Sequence, residues 1–323
     1  MTSTSSGDSA QRPAHRTGRP ILVGYDGSDG ARTAVRWALD EGARSGEAVE
    51  LAYAFEPTTV GSWIGPGIGP GVWPDEVARR EVEAVVQQAA AEAAGTHPGV
   101  RVHGEVLDGP AALLLQERSA RASLVVLGSR GHGGFTGLLT GSTAVTVCAH
   151  AHCPVVVVRG EEPQRTGPGP VVVGVDGSEH SRLALGFALD RAANREAPLH
   201  VIRAWAPPGP RSRPAEAKLA EITDTERAAV QEMVAGWRGT YPGVEVSVAV
   251  VTGNPSGALV EATREARLAV VGSRGLGGFR GLLLGSVSQQ LIQHGHCPVA
   301  VVRELPPDQL PGEPAGAGEP AGR

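Results

Sequence analysis

The chain has 323 residues, 41% of them hydrophobic and 20% charged, with a formal net charge of −5. That balance suits a globular protein able to bury a core, and it argues against a nucleic-acid surface, since basic residues are scattered with no aromatics alternating among them. Cys148, Cys153 and Cys297 are too few for a disulfide framework and point to a reducing, cytoplasmic setting.

Residues 1–19 are polar and turn-rich, lack the apolar run of a signal peptide, and read as a disordered tail. Ile21–Tyr25 is a continuous apolar run, expected as a strand buried on both faces. It ends at Asp26-Gly27-Ser28, where Ser28 or Asp29 caps a helix to about Arg44 with Ala34, Val35, Ala38 and Leu39 on one face. Val49–Phe55 is the second strand. A long Gly/Pro loop follows over 57–74, carrying Trp63 and Trp73, and reads either as a lid or partner surface or as a loop folded back over the helices. A helix over Asp75–Ala94, a strand over Val100–Val106, a shorter helix from Pro110 and a strand over Leu124–Leu127 come next. A glycine-rich loop, another helix and a strand over Pro154–Val158 complete the series, with Pro154 stopping the helix and opening a strand near an edge.

The series then repeats. ILVGYDGSDGARTAVRWALD (21–40) matches VVVGVDGSEHSRLALGFALD (171–190), VELAYAFEP (49–57) matches LHVIRAWAP (199–207), and HAHCPVVVVR (150–159) matches HGHCPVAVVR (294–303). The chain is therefore two copies of one domain, 20–159 and 171–303, each of ordinary domain size. GEEPQRTGPGP (160–170) has linker composition, and the Pro/Gly-rich end, 304–323, reads as a second disordered tail. Strands alternating with helices give an α/β fold with a parallel sheet in each half. The two apolar last strands, Pro154–Val158 and Pro298–Val302, are each expected to need cover, and the other half of the chain is the nearest source.

The most informative stretch is GSRGHGGFTGLLTGS (128–142), repeated as GSRGLGGFRGLLLGS (272–286). Each copy follows an apolar strand and opens into a helix, with Gly, two residues, Gly, nine residues and Gly-Ser. Glycines let the backbone approach a ligand, and a helix start offers unpaired N–H groups and a positive dipole end, so the arrangement suits a phosphate. Ser142 and Ser286 fall where an N-cap belongs. Asp26 and Asp176 follow the first strand of each half, at the end of the sheet where such folds bind ligands. There a carboxylate either meets ribose hydroxyls or a divalent cation, or simply turns the chain.

These residues resemble the universal stress protein family in its tandem-domain form, over nearly all of 20–303. The resemblance implies two doubly wound five-stranded parallel sheets in order 3-2-1-4-5, like the adenine nucleotide alpha hydrolases. It also implies ATP binding, with Mg2+, without established catalysis, and pairing of two domains through their last strands, with a homodimer as a further step. By matching position, Asp26 would meet the ribose and Ala54 would offer backbone groups to adenine. Leu127 and Gly128 would line the ribose side, and Gly131, Gly141, Ser142 and Thr143 would hold phosphates. The counterparts in the second half are Asp176, Ala204, Val271, Gly272, Gly275, Gly285, Ser286 and Val287. Ser123 and Arg267 stand where the family often has an acidic residue.

Other chemistries are weaker. Cys148, His150, His152 and Cys153 have a metal site's composition, but Ile292 replaces Cys148 in the second copy. Neither loop contains the lysine of a phosphate-binding G-x-x-x-x-G-K-[ST] loop, and Lys218, the only lysine, lies elsewhere. Arg130 and Arg274 are the nearest cations to a bound phosphate, or else solvated. His132, the one titratable group of its type within a loop, is Leu276 in the second copy, so slow hydrolysis or none is expected.

Overall fold

In a computed structural model, residues 18–56, 74–131, 140–159, 169–205, 216–277, 284–307 and 309 are described. Residues 1–17, the Trp63/Trp73 loop, His132 and most of the linker lie outside them. The first half comprises β1 (Ile21–Gly24), α1 (Asp29–Ser45), β2 (Val49–Phe55), α2 (Pro74–Thr96), β3 (Val102–Asp108), α3 (Ala111–Ser119), β4 (Leu124–Gly128), α4 (Ser142–His150) and β5 (Val155–Val158). The second repeats it as β6 (Val171–Gly174), α5 (Glu179–Arg195), β7 (Leu199–Trp205), α6 (Glu216–Ala235), β8 (Val246–Thr252), α7 (Pro255–Ala262), β9 (Leu268–Gly272), α8 (Ser286–His294) and β10 (Val299–Val302).

Local chemistry accounts for the boundaries. The side chain of Ser28 accepts the Ala31 N–H to start α1, and Gly46 at φ 76° ends it in a left-handed cap. β3 begins two residues later than its sequence pattern suggests, because the Val100 N–H is spent on the His97 carbonyl in a turn, at 2.9 Å.

All ten strands form one sheet in the order β3-β2-β1-β4-β5-β10-β9-β6-β7-β8. Each half has the expected 3-2-1-4-5 order with parallel neighbours, and the halves join through β5 and β10, which run antiparallel. The register is Val157↔Val299, Val156↔Ala300 and Val155↔Val301. Val156 and Ala300 are equivalent residues of the repeat, so the join is centred on a local two-fold axis. The two apolar strands thus cover one another, and Pro154 opens an interior strand instead of one near an edge. Alternate strand residues feed two cores: Ile21, Val23, Val171 and Val173 pack under α1, α2, α5 and α6, while Leu22, Val125, Val172 and Ala269 pack under α3, α4, α7 and α8. Both cores run through the two halves without a break.

The segment after β10, expected as a disordered tail, packs onto the first half as far as it is described. Leu305 is buried in the first core, and the Gln309 side-chain amide donates to the Ser123 carbonyl at 3.2 Å. Glu304 pairs with His152 at 3.1 Å. Leu305 supplies the apolar anchor that composition alone hides among prolines and glycines.

Candidate functional site

β1 is paired with β2 on one side and β4 on the other, so the chain order reverses at β1, and the same holds for β6. A crevice opens beyond the carboxyl ends of such strands. Asp26 and Gly128 stand there in the first half, Asp176 and Gly272 in the second. The backbone after β4 lies close over the start of α1. A Cβ on Gly128 would sit 2.6 Å from the carbonyl carbon of Gly30, so only glycine permits the approach.

The carboxylates do more than turn the chain. Asp176 Oδ1 accepts the Ser178 N–H at 3.0 Å and the Ser178 hydroxyl at 2.6 Å, while Oδ2 accepts the Leu276 N–H at 2.7 Å. Asp176 therefore clamps the glycine-rich loop a hundred residues away. Burial pushes its carboxyl pKa up, but the hydrogen bonds from Ser178 and Leu276 outweigh that and leave it below the ordinary value. Asp26 Oδ1 accepts the Ser28 N–H in the same way. A Cβ on Gly131 would collide with Asp26 Oδ2, and one on Gly275 with Asp176 Oδ2. Loop glycine and carboxylate thus occupy one space.

A helix start lies beside each strand end, the Gly141 N–H bonded to the Ser129 carbonyl at 2.9 Å and the Gly285 N–H to the Ser273 carbonyl at 2.8 Å. Gly141 and Gly285, in extended conformation, are the N-caps of α4 and α8, with no side-chain cap. Ser142 and Ser286, which the sequence places at the cap, are instead the first helical residues, both exposed to some degree. The shift arises because the extended conformation that precedes a helix falls on the glycine. Each helix therefore presents its first N–H groups, unpaired within the helix, beside Thr143 or Val287. Leu127 and Val271 are 4% and 3% exposed and sit in the second core, so the side chains cannot line a crevice and only backbone remains for that role. Ala54 and Ala204 lie one residue before the ends of β2 and β7. The β1–β2 rungs stop at Gly24↔Ala52, so Ala54 stands beyond the last rung towards β1, and Ala204 beyond its counterpart Gly174↔Ile202. Arg130 and Arg274 are exposed.

Three residues make contacts with the loop that were not visible in the sequence. Ser28 and Ser178 each cap a helix and approach the loop carbonyls of Arg130 and Arg274, both at 3.5 Å. His180 replaces Gly30 in the second half, its backbone packed over Gly272. None of these signals lies in a local motif, since each depends on a loop about a hundred residues on. Ser28→Ala is expected to cost about 1 kcal/mol of stability through the lost cap, read as a lower urea midpoint at unchanged slope.

The Cys/His cluster takes no ligand-like form. Cys148 and Cys153 are buried, the Cys148 thiol pushed up to about 12 by burial. His150 Nδ1 lies 3.0 Å from the Thr146 carbonyl and His152 lies against Glu304. Among the described residues no three His, Cys, Asp or Glu side chains gather as a metal site, and no helix is long and apolar enough to cross a membrane.

Comparison with known proteins gives a consistent result. The sequence profile of the universal stress protein family matches residues 18–159 and again 169–303. A universal stress protein of Mycobacterium tuberculosis is 35% identical over 316 residues, spanning 91% of this chain and 98% of the relative. A second from the same organism is 37% identical over 297 residues, spanning 88% and 96%. Among solved structures, a universal stress protein from Archaeoglobus fulgidus superposes with a TM-score of 0.66 at 19% identity, covering 89% of this chain and 99% of that one.

Proposed function

Because the chain belongs to the universal stress protein family, we propose that each half binds an adenine nucleotide, ATP carried with Mg2+, and that the protein acts as a nucleotide-dependent stress-response module without significant catalysis. The observation that carries this reading is the duplicated helix start: α4 and α8 begin at a glycine with no side-chain cap, beside a glycine-rich loop that in the second half is held by a carboxylate. A phosphate chain fits such a place, since it accepts backbone N–H groups and meets the positive end of the dipole. Gly131 and Gly275 keep side chains out of the phosphate path, Asp26 and Asp176 face the sugar, and the backbone of Ala54 and Ala204 faces the base. Mg2+ would arrive on the phosphates and supply charge neutralisation there.

Retention without turnover follows from what surrounds the phosphates. Hydrolysis needs a water oriented in line with the terminal phosphate. Asp176 is committed to hydrogen bonds from Ser178 and Leu276, and Leu276 stands in the second loop where the first has His132. The test is calorimetric titration of the nucleotide-stripped protein with ATP and Mg2+, followed by a single-turnover assay. Two equivalents bound per chain, with ATP recovered intact, is the expected result. Failure of the stripped protein to bind ATP would overturn the binding reading. Turnover of about 1 per second or faster would overturn the non-catalytic one.

A further inference from the structure

The join between the halves carries a buried charge pair that the nucleotide reading does not use. Glu41 in α1 is fully buried, and its Oε1 accepts a hydrogen bond from Arg191 Nη1 in α5. Its Oε2 accepts from Arg195 Nη2 at 2.6 Å. Arg191 is also fully buried, its guanidinium 4.8 Å from the Phe187 ring centre, and its Nη2 has no hydrogen-bond partner.

Glu41 and Arg191 are the same position of the repeat. ALDEGARSG (38–46) aligns with ALDRAANRE (188–196), and the alignment is fixed structurally by the left-handed caps that end both helices, Gly46 at φ 76° and Glu196 at φ 50°. The sheet join has a local two-fold axis between Val156 and Ala300. Glu41 therefore meets its own counterpart across that axis. The other charges facing the pair leave each half with the net sign of its own central residue. The first half brings Glu41, Glu47 and Arg44, the last at 3.6 Å from Glu41. The second brings Arg191, Arg195 and Asp190, whose Oδ2 lies 3.4 Å from Arg191 Nε. The first set sums to one negative charge and the second to one positive, so the mixed join is neutral.

We propose that Glu41 and Arg191 are a pairing code: the α1/β5 face of the first half accepts the α5/β10 face of a second half and rejects another first half. Two first halves would bring Glu41 against Glu41, and two second halves Arg191 against Arg191, each burying like charges where no water reaches. The apolar part of the join offers no such choice, since β5 and β10 are nearly the same sequence, VVVV and VAVV. The partner of either half is thus always an opposite half, in its own chain or, by exchange, in a second copy.

The test uses the full chain in four forms: wild type, E41R, R191E and the swap E41R/R191E. Each single change sets like charges face to face and is expected to lower the melting temperature by roughly 5–10 °C or to prevent recovery of soluble protein. The swap restores opposite charges and is expected to recover at least half of the loss, which a steric effect of either residue would not do. Co-expressed E41R and R191E chains are expected to co-purify as a one-to-one complex of twice the 33.2 kDa chain mass. In that complex the new arginine of the E41R chain faces the new glutamate of the R191E chain, and the native Glu41 of the latter faces the native Arg191 of the former. Single variants that melt with the wild type would overturn the proposal, as would a swap no more stable than the worse single or co-expressed chains that remain separate.

Discussion

Replacing both Gly131 and Gly275 with valine is expected to abolish ATP binding, a loss of about 1,000-fold or more, equivalent to about 4 kcal/mol. The effect has two parts. A side chain at either position takes up room beside the carboxylate that the bound nucleotide is proposed to use. It also displaces the carboxylate of Asp26 or Asp176, since the first added carbon collides with it. In the second half that carboxylate is what holds the loop through the Leu276 N–H at 2.7 Å. One substitution therefore removes a cradle and loosens its clamp. It follows that Asp176→Ala should cost little once Gly275→Val is present, because both changes break the same unit. Either single glycine variant should retain one binding equivalent per chain by calorimetry, with circular dichroism showing an intact fold. Undiminished binding by the double variant would refute the proposed site.

The second large effect is acid lability centred on Glu41. Burial pushes its carboxyl up, but the charges of Arg195 and Arg191 and the hydrogen bond from Arg191 pull it further down, to about 2 from an ordinary 4.5. A folded-state pKa below the unfolded one means that the group stabilises the fold above pH 4.5, and that this contribution is lost as pH falls from there towards 2. At about 1.4 kcal/mol per pKa unit, the contribution is about 3 kcal/mol. Glu41→Gln should be destabilised by about that much at neutral pH, more if the orphaned Arg191 charge is counted. The gap between wild type and variant should then close between pH 4.5 and 2, measured as urea midpoints across the range. A gap that stays constant with pH would show that the carboxylate charge is not what matters.

Much of the fold is legible in the chain because its signals are local. The apolar runs Ile21–Tyr25 and Leu124–Leu127 mark β1 and β4 in the interior of the sheet, and the repeated glycine spacing marks both crevices. What escaped depends on residues far apart in sequence. Asp176 looks like part of a turn until its second oxygen is seen on the Leu276 N–H. Leu127 and Val271 stand at the right place for a ligand, but strand alternation turns their side chains into the core. The cap falls on Gly141 and Gly285 although serine is the better capping residue, because the glycine is where the backbone is extended. Glu41 and Arg191 lie 150 residues apart with no local motif to link them, and only the closing of one half on the other pairs them.

The antiparallel join of β5 and β10 has a geometric consequence for anything that reads the bound state. Within each half the strands are parallel, so their carboxyl ends, and the crevice beyond them, lie along a single border of the sheet. Reversal at the join puts the two crevices on opposite borders, set apart along the sheet by the four strands from β4 to β9. At about 4.8 Å per strand, that is roughly 20 Å sideways in addition to the depth of the slab. A compact receptor docked over one crevice has no view of the other. The two crevices are thus back to back, one at each border of the sheet, and a protein docked over one would not reach the other.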